Sequence, residues 1–186
     1  ALGRVLVHES RYDALAQALA AALAAMRIGR SDDERSEIGP LIDTAARDRV
    51  QRLVESHADA ALLKGGVTKG LPPGGAYLGP SLLALDDLAS PVVQEEIFGP
   101  VLNIERFATE AEAVAKANAT RYGLAASVWT HDLDRAFRIG RALRSGTVWL
   151  NDHNKLFPEA ETGGQRDSGF GRLHGVGGLD EFLATK

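Results

Sequence analysis

The 186-residue chain predicts an α/β fold, a parallel twisted sheet with helices on both faces. Two observations carry that prediction. Between 125 and 150 a β-rich apolar run, a stretch with helical periodicity and a second β-rich run follow in close succession, the pattern of a βαβ crossover. Upstream, short apolar runs alternate with helical stretches of about ten to fifteen residues, and such alternation produces parallel strands joined by right-handed connections. With 45% hydrophobic and 25% charged residues the composition is ordinary for a globular chain, and residues 1–186 are expected to form one domain.

Val5 to Val7 is a short buried strand. Ser10 with Asp13 opens a helix whose apolar positions Tyr12, Leu15, Leu19, Leu23 and Met26 follow the 3.6-residue period, and Gly29 closes it. A charged loop from Ser31 to Glu37 leads to a helix from Asp43 to His57 that buries Ala46, Val50, Leu53 and Val54. Ala60 to Leu63 reads as a strand. Gly65 to Gly79, with six glycines and two prolines, reads as a long loop. Ser81 to Leu85 and Val101 to Phe107 are strands, and Thr109 with Glu112 makes a capping box for a helix running to Asn118. The crossover itself consists of a strand from Ala125 to Thr130, a helix from Asp132 to Leu143 capped by Gly146, and a strand from Thr147 to Leu150.

Composition excludes several function classes. A formal net charge of -4 offers no positive footprint for nucleic acid. No run of eighteen apolar residues is present, and the Ala-rich stretch from Ala14 to Ala25 is broken by Gln17, so no membrane partner is expected. The absence of cysteine rules out a disulfide framework and Cys-based zinc sites, and makes a cytoplasmic setting the default. His8, His57, His131, His153 and His174 show no metal-ligand spacing. A start at Ala1, directly into an apolar run, reads as a piece of something longer.

In open parallel sheets ligands gather beyond the carboxyl ends of strands. Two segments there are unusual. In Gln94-Glu95-Glu96-Ile97-Phe98-Gly99-Pro100-Val101 adjacent carboxylates meet an aromatic and a Gly-Pro turn before a strand. They form either an acid/base pair or a solvated charge pair at a strand entry, and consecutive side chains diverge on a strand, so only one of the two is expected to face a site. The second segment, Asn151 to Arg172, is either a functional loop or a surface excursion.

Glu95-Glu96-Ile97-Phe98-Gly99-Pro100-Val101 resembles the cofactor-binding motif of the aldehyde dehydrogenase superfamily. Further blocks resemble that family in the same order and at compatible spacing: Arg4-Val5-Leu6-Val7-His8-Glu9-Ser10, Ile38-Gly39-Pro40-Leu41, Tyr122 to Thr130, Gly146 to Asn151, and Ser168-Gly169-Phe170-Gly171-Arg172. Together they cover essentially the whole chain. In such enzymes a cysteine thiolate attacks the aldehyde, hydride passes to NAD or NADP, and a glutamate-activated water hydrolyses the thioester. The resemblance implies that Glu96 accepts hydrogen bonds from the nicotinamide ribose hydroxyls and that Phe98 packs near the nicotinamide end. It also implies that Asp152, His153, Asn154, Leu156 and Phe157 line the aldehyde path.

Two departures qualify that expectation. The aromatic-basic pair usual after the double glycine is Gln165-Arg166 here, and the loop carries Glu159 and Glu161, which leaves the aldehyde unnamed. The family's nucleophilic cysteine, its general-base glutamate and its Rossmann domain match no residues of this chain. The expectation is therefore the C-terminal segment of an enzyme's catalytic domain, inactive alone and homo-oligomeric in its complete form. The alternative is a non-catalytic superfamily module with a structural or interaction role.

Overall fold

A computed structural model describes residues 2–68, 70–72 and 74–184, and the chain divides into two compact units, Ala1–Ala108 and Thr109–Lys186. The first unit is built on β1 (Arg4–His8), α1 (Glu9–Ala25), α2 (Thr44–Ser56), β2 (Ala61–Leu63), β3 (Ser81–Ala84), the single turn α3 (Pro91–Gln94) and β4 (Val101–Phe107). Its sheet has the order β1-β4-β3-β2. The β1, β4 and β3 strands run parallel, with Arg4 opposite Asn103 and Ser81 opposite Val101, while β2 is an antiparallel edge.

Strand alternation sorts the core onto both faces. Val7, Leu82, Leu102 and Ile104 pack under Tyr12 and Ala16 of α1. Leu83 and Val101, on the opposite pleat, join Val50 and Val54 of α2, together with Leu78, Val92 and Ile97. The expected helix-covered faces are thus present in this unit. The register shifts between Ala61 and Leu63, and that bulge lets two residues of nominally equal phase serve opposite faces, Ala61 with the α2 cluster and Leu63 with the α1 cluster.

Between the sheet and the α2 side lies a fully buried polar group. Glu105 receives two charge-assisted bonds from Arg4, from Nε and Nη2, each 2.6 Å long. Asn103 donates to Glu105 at 3.1 Å, and it also donates to the Leu85 carbonyl and accepts from the Leu85 amide. Every member is satisfied, which is the condition for keeping a carboxylate away from water.

Both expected limits of α1 move. Helix α1 is capped by His8, whose Nδ1 accepts from the Ser10 amide, and not by Ser10 with Asp13; Asp13 instead pairs with Arg106 at 2.9 Å. The helix ends at Ala25, because Met26 is already extended and Gly29 donates to the Ile38 carbonyl in a small bridge between Ile28 and Ile38. The long loop 65–79 is present as expected, with Val67 bridging Leu78; Lys69 and Pro73 in it lie outside the described residues.

The second unit contains α4 (Glu110–Ala117), β5 (Tyr122–Gly123), β6 (Ala125–Val128), α5 (Leu133–Ala142), β7 (Thr147–Leu150), β8 (Gln165–Arg166) and the turn α6 (Gly177–Asp180). Thr109 caps α4 through the Glu112 amide, as the capping box predicts. The crossover holds: β6 and β7 are parallel, from Ala125 opposite Thr147 to Val128 opposite Leu150, with α5 between them capped by Asp132. Its far end differs. Leu143, in extended conformation, terminates α5, and Gly146 serves a close approach, since a Cβ there would sit 1.8 Å from the Gly163 carbonyl oxygen. The 151–172 loop is partly structured, because β8 pairs antiparallel with β5 and Thr162 bridges Leu173. Among the described residues no helix is long and apolar enough to cross a membrane.

Candidate functional site

The turn from Glu95 to Pro100 is positioned by its flanks. Ser90 accepts from the Val92 amide and Pro91 starts α3, which stops after one turn with the Glu95 amide donating to the Pro91 carbonyl. Ile97 then drops into the core beside Val50 and Val92. Burying that one side chain leaves Glu95, Glu96 and Phe98 exposed. Because the segment is a bend and not a strand, both carboxylates face solvent, where strand alternation had suggested only one would.

Phe98 has φ of 52° and is 75% exposed. A bulky residue in the left-handed region costs on the order of 1–3 kcal/mol and persists only where its surroundings impose it. Helix α2 imposes it from two adjacent residues. Arg49 donates to the Ile97 carbonyl at 2.5 Å, and Val50 packs so tightly on Gly99 that an added Cβ would lie 2.8 Å from its methyl group. Sequence reading missed Arg49; its only signal was its place next to a predicted core position, Val50. Glu96 has no hydrogen bond or ion pair to the described residues, so both its oxygens are available to a ligand.

In the second unit the parallel register brings the carboxyl ends of β6 and β7 to one edge. Asn151, with φ of 53°, closes that edge: its side chain accepts from the Thr130 amide and donates to the Thr130 carbonyl, each at 2.9 Å. Asp152 accepts from the His153 amide and pairs with Lys155 at 3.0 Å. The Lys155 ammonium, then the His153 N–H, hold the Asp152 carboxyl below its ordinary range. Trp149 donates through Nε1 to the Lys155 carbonyl and meets the His153 ring edge-on at 5.4 Å. The His153 ring is also held by Ser127, whose Oγ is 2.7 Å from Nδ1.

Of the predicted contacts, Asp152, His153 and Asn154 thus lie in one hydrogen-bonded turn, with Asn154 at φ of 56°, and Leu156 and Phe157 follow with exposed side chains. Ser127 and Trp149 were not anticipated. They are register partners at the carboxyl end of the crossover, and that parallel pairing was the signal available in the sequence.

These features sit in a chain whose whole length, residues 1–186, matches the model of the aldehyde dehydrogenase family. The chain belongs to that family. It is 40% identical to a (Z)-2-((N-methylformamido)methylene)-5-hydroxybutyrolactone dehydrogenase of Acinetobacter baylyi and 36% identical to a betaine aldehyde dehydrogenase of Bacillus subtilis, in each case over 98% of this chain and 38% of the relative. A betaine aldehyde dehydrogenase of Staphylococcus aureus, solved in complex with NAD+, superposes with a TM-score of 0.89 at 36% identity, covering 99% of this chain and 37% of that one. The chain therefore spans less than two-fifths of the length of the curated relatives it matches, at 38%.

Proposed function

We propose that these residues are the C-terminal segment of the catalytic domain of an NAD- or NADP-dependent aldehyde dehydrogenase, which oxidises an aldehyde to a carboxylic acid through a cysteine thioester. The observation that carries the reading is the Glu96-Ile97-Phe98 turn: an unpartnered carboxylate and an exposed aromatic, displayed on a buried anchor in a left-handed backbone conformation that helix α2 holds in place. An ionised carboxylate with two open acceptor oxygens fits the vicinal diol of a nicotinamide ribose. When bound, the cofactor supplies the hydride acceptor.

Glu96 binds and orients the ribose, which fixes the ring for transfer. Phe98 offers its face beside it. Arg49, Val50 and Gly99 keep both from drifting. Asp152, His153, Asn154, Leu156 and Phe157 line the aldehyde path. The nucleophilic thiol comes from outside these 186 residues, which contain no cysteine, so they are inactive by themselves. The complete enzyme is read as a cytoplasmic homo-oligomer.

The test uses the complete natural polypeptide. Glu96→Gln keeps one acceptor and loses the charge; it is expected to raise the KM for the dinucleotide about tenfold and lower kcat, while the exposed position leaves the melting temperature within a degree or so. Cofactor kinetics indistinguishable from wild type would sink the assignment. A natural polypeptide whose intact mass matches these residues alone, without any thiol, falls instead to the non-catalytic family module.

A further inference from the structure

We propose that Ser127 and Trp149 hold the His153 imidazole as a polar specificity contact, and that the aldehyde accepted by this enzyme carries a hydroxyl group along its chain. This rests on the dehydrogenase reading and sharpens its substrate class.

The ring of His153 is restrained from two sides, by the 2.7 Å contact of Nδ1 with Ser127 Oγ and by the edge of Trp149. Trp149 is itself pinned by its bond to the Lys155 carbonyl, and the His153 amide is tied to Asp152. By contrast Nε2 has no hydrogen-bond partner among the described residues. A neutral imidazole has one donor and one acceptor nitrogen. If Ser127 donates to Nδ1, then Nε2 carries the proton and donates; if Nδ1 donates to Ser127, then Nε2 accepts. A hydroxyl satisfies either state. A methyl group satisfies neither, and a quaternary ammonium has no N–H and no lone pair to offer.

The same loop supplies apolar surface for a carbon chain in Leu156 and Phe157, both more than half exposed at 56% and 53%. The combination of a preset polar nitrogen with apolar neighbours is what a site needs to distinguish a hydroxylated chain from a plain one. His153 is the contact, and Ser127 is a positioning residue acting through it.

Steady-state kinetics of the complete protein decide the matter, using straight-chain aldehydes and the same aldehydes with the terminal methyl replaced by hydroxyl. Wild type is expected to favour the hydroxylated series in kcat/KM by about tenfold, the scale of one uncharged hydrogen bond. His153→Phe brings that ratio close to one, mainly through KM. Ser127→Ala takes it part of the way, and Ser127→Thr, which keeps the hydroxyl, restores it. A purely structural role for Ser127 would depress both series alike and leave the ratio where it was. A wild-type ratio at or below one, or a His153→Phe ratio equal to wild type, overturns the proposal while leaving the dehydrogenase reading intact; no oxidation of either series overturns both.

Discussion

Helix α2 buries Val50 and Val54 against Leu83, Val92 and Ile97, whereas α5, with an equally clear helical period, buries Ala136 and leaves Leu133 and Phe137 66% and 50% exposed. The contrast extends through the two units. Ala1–Ala108 has a core on both faces of its sheet and a fully satisfied buried ion pair. Thr109–Lys186 contains Val128 and Ala136 as its buried apolar side chains among the described residues, and shows Leu173, Val176, Leu179 and Phe182 largely to solvent. Apolar periodicity therefore tells which side of a helix is greasy, not whether the unit that carries it also covers it. The first unit holds most of the buried apolar packing, and the second carries its elements on a lighter frame.

Substitutions can break or sharpen that contrast. The largest effect is expected from Arg4→Ala, which strands the Glu105 carboxylate, wholly inaccessible to water, without its counter-ion. The loss should be about 4 kcal/mol of unfolding free energy by denaturant titration, and a change below about 1 kcal/mol would show that the pair stabilises nothing. Next comes a matched comparison. Leu83→Ala, at a fully buried position, is expected to cost about 3 kcal/mol, against less than about 0.5 kcal/mol for Phe182→Ala at an exposed one. Equal losses at the two positions would erase the distinction between the units.

The smallest effect concerns acid. The Asp152 carboxyl is held below its ordinary range chiefly by Lys155, so its contribution is present above the unfolded-state value and disappears as pH falls through the lower folded-state one. The protection of the His153 amide, the intrinsic exchange rate over the observed one at each pH, is expected to fall on acidification through the range below an ordinary aspartate. In Asp152→Asn protection should already be lower at neutral pH and show no acid limb; an unchanged acid limb in that variant would assign the effect to another group.

Much of this architecture was readable from residue pattern. The α2 limits, the Thr109 capping box, the β4 span and the parallel crossover all follow from periodicity and caps that act locally. One miss was local: His8 displaces Ser10 as the α1 cap because its ring folds back on the Ser10 amide. Others were decided at a distance: Gly146 is explained by Gly163, seventeen positions away in sequence, not by the helix it follows. The same holds for the site. Glu96 and Phe98 stand out within one short block, but Arg49 reaches Ile97 across 48 residues and Ser127 reaches His153 across 26. Motifs show themselves in sequence, while the side chains that aim them come from elsewhere in the chain.

The left-handed backbone at Phe98 has a consequence for how this protein would respond to selection. Glycine relieves that conformation at no steric penalty, and asparagine at little. A search for heat tolerance alone is therefore expected to drift toward those residues at position 98, and a search for turnover to drift back. On the dehydrogenase reading proposed above, the position is a local compromise in which the chain tolerates a less comfortable backbone to keep an aromatic ring on display.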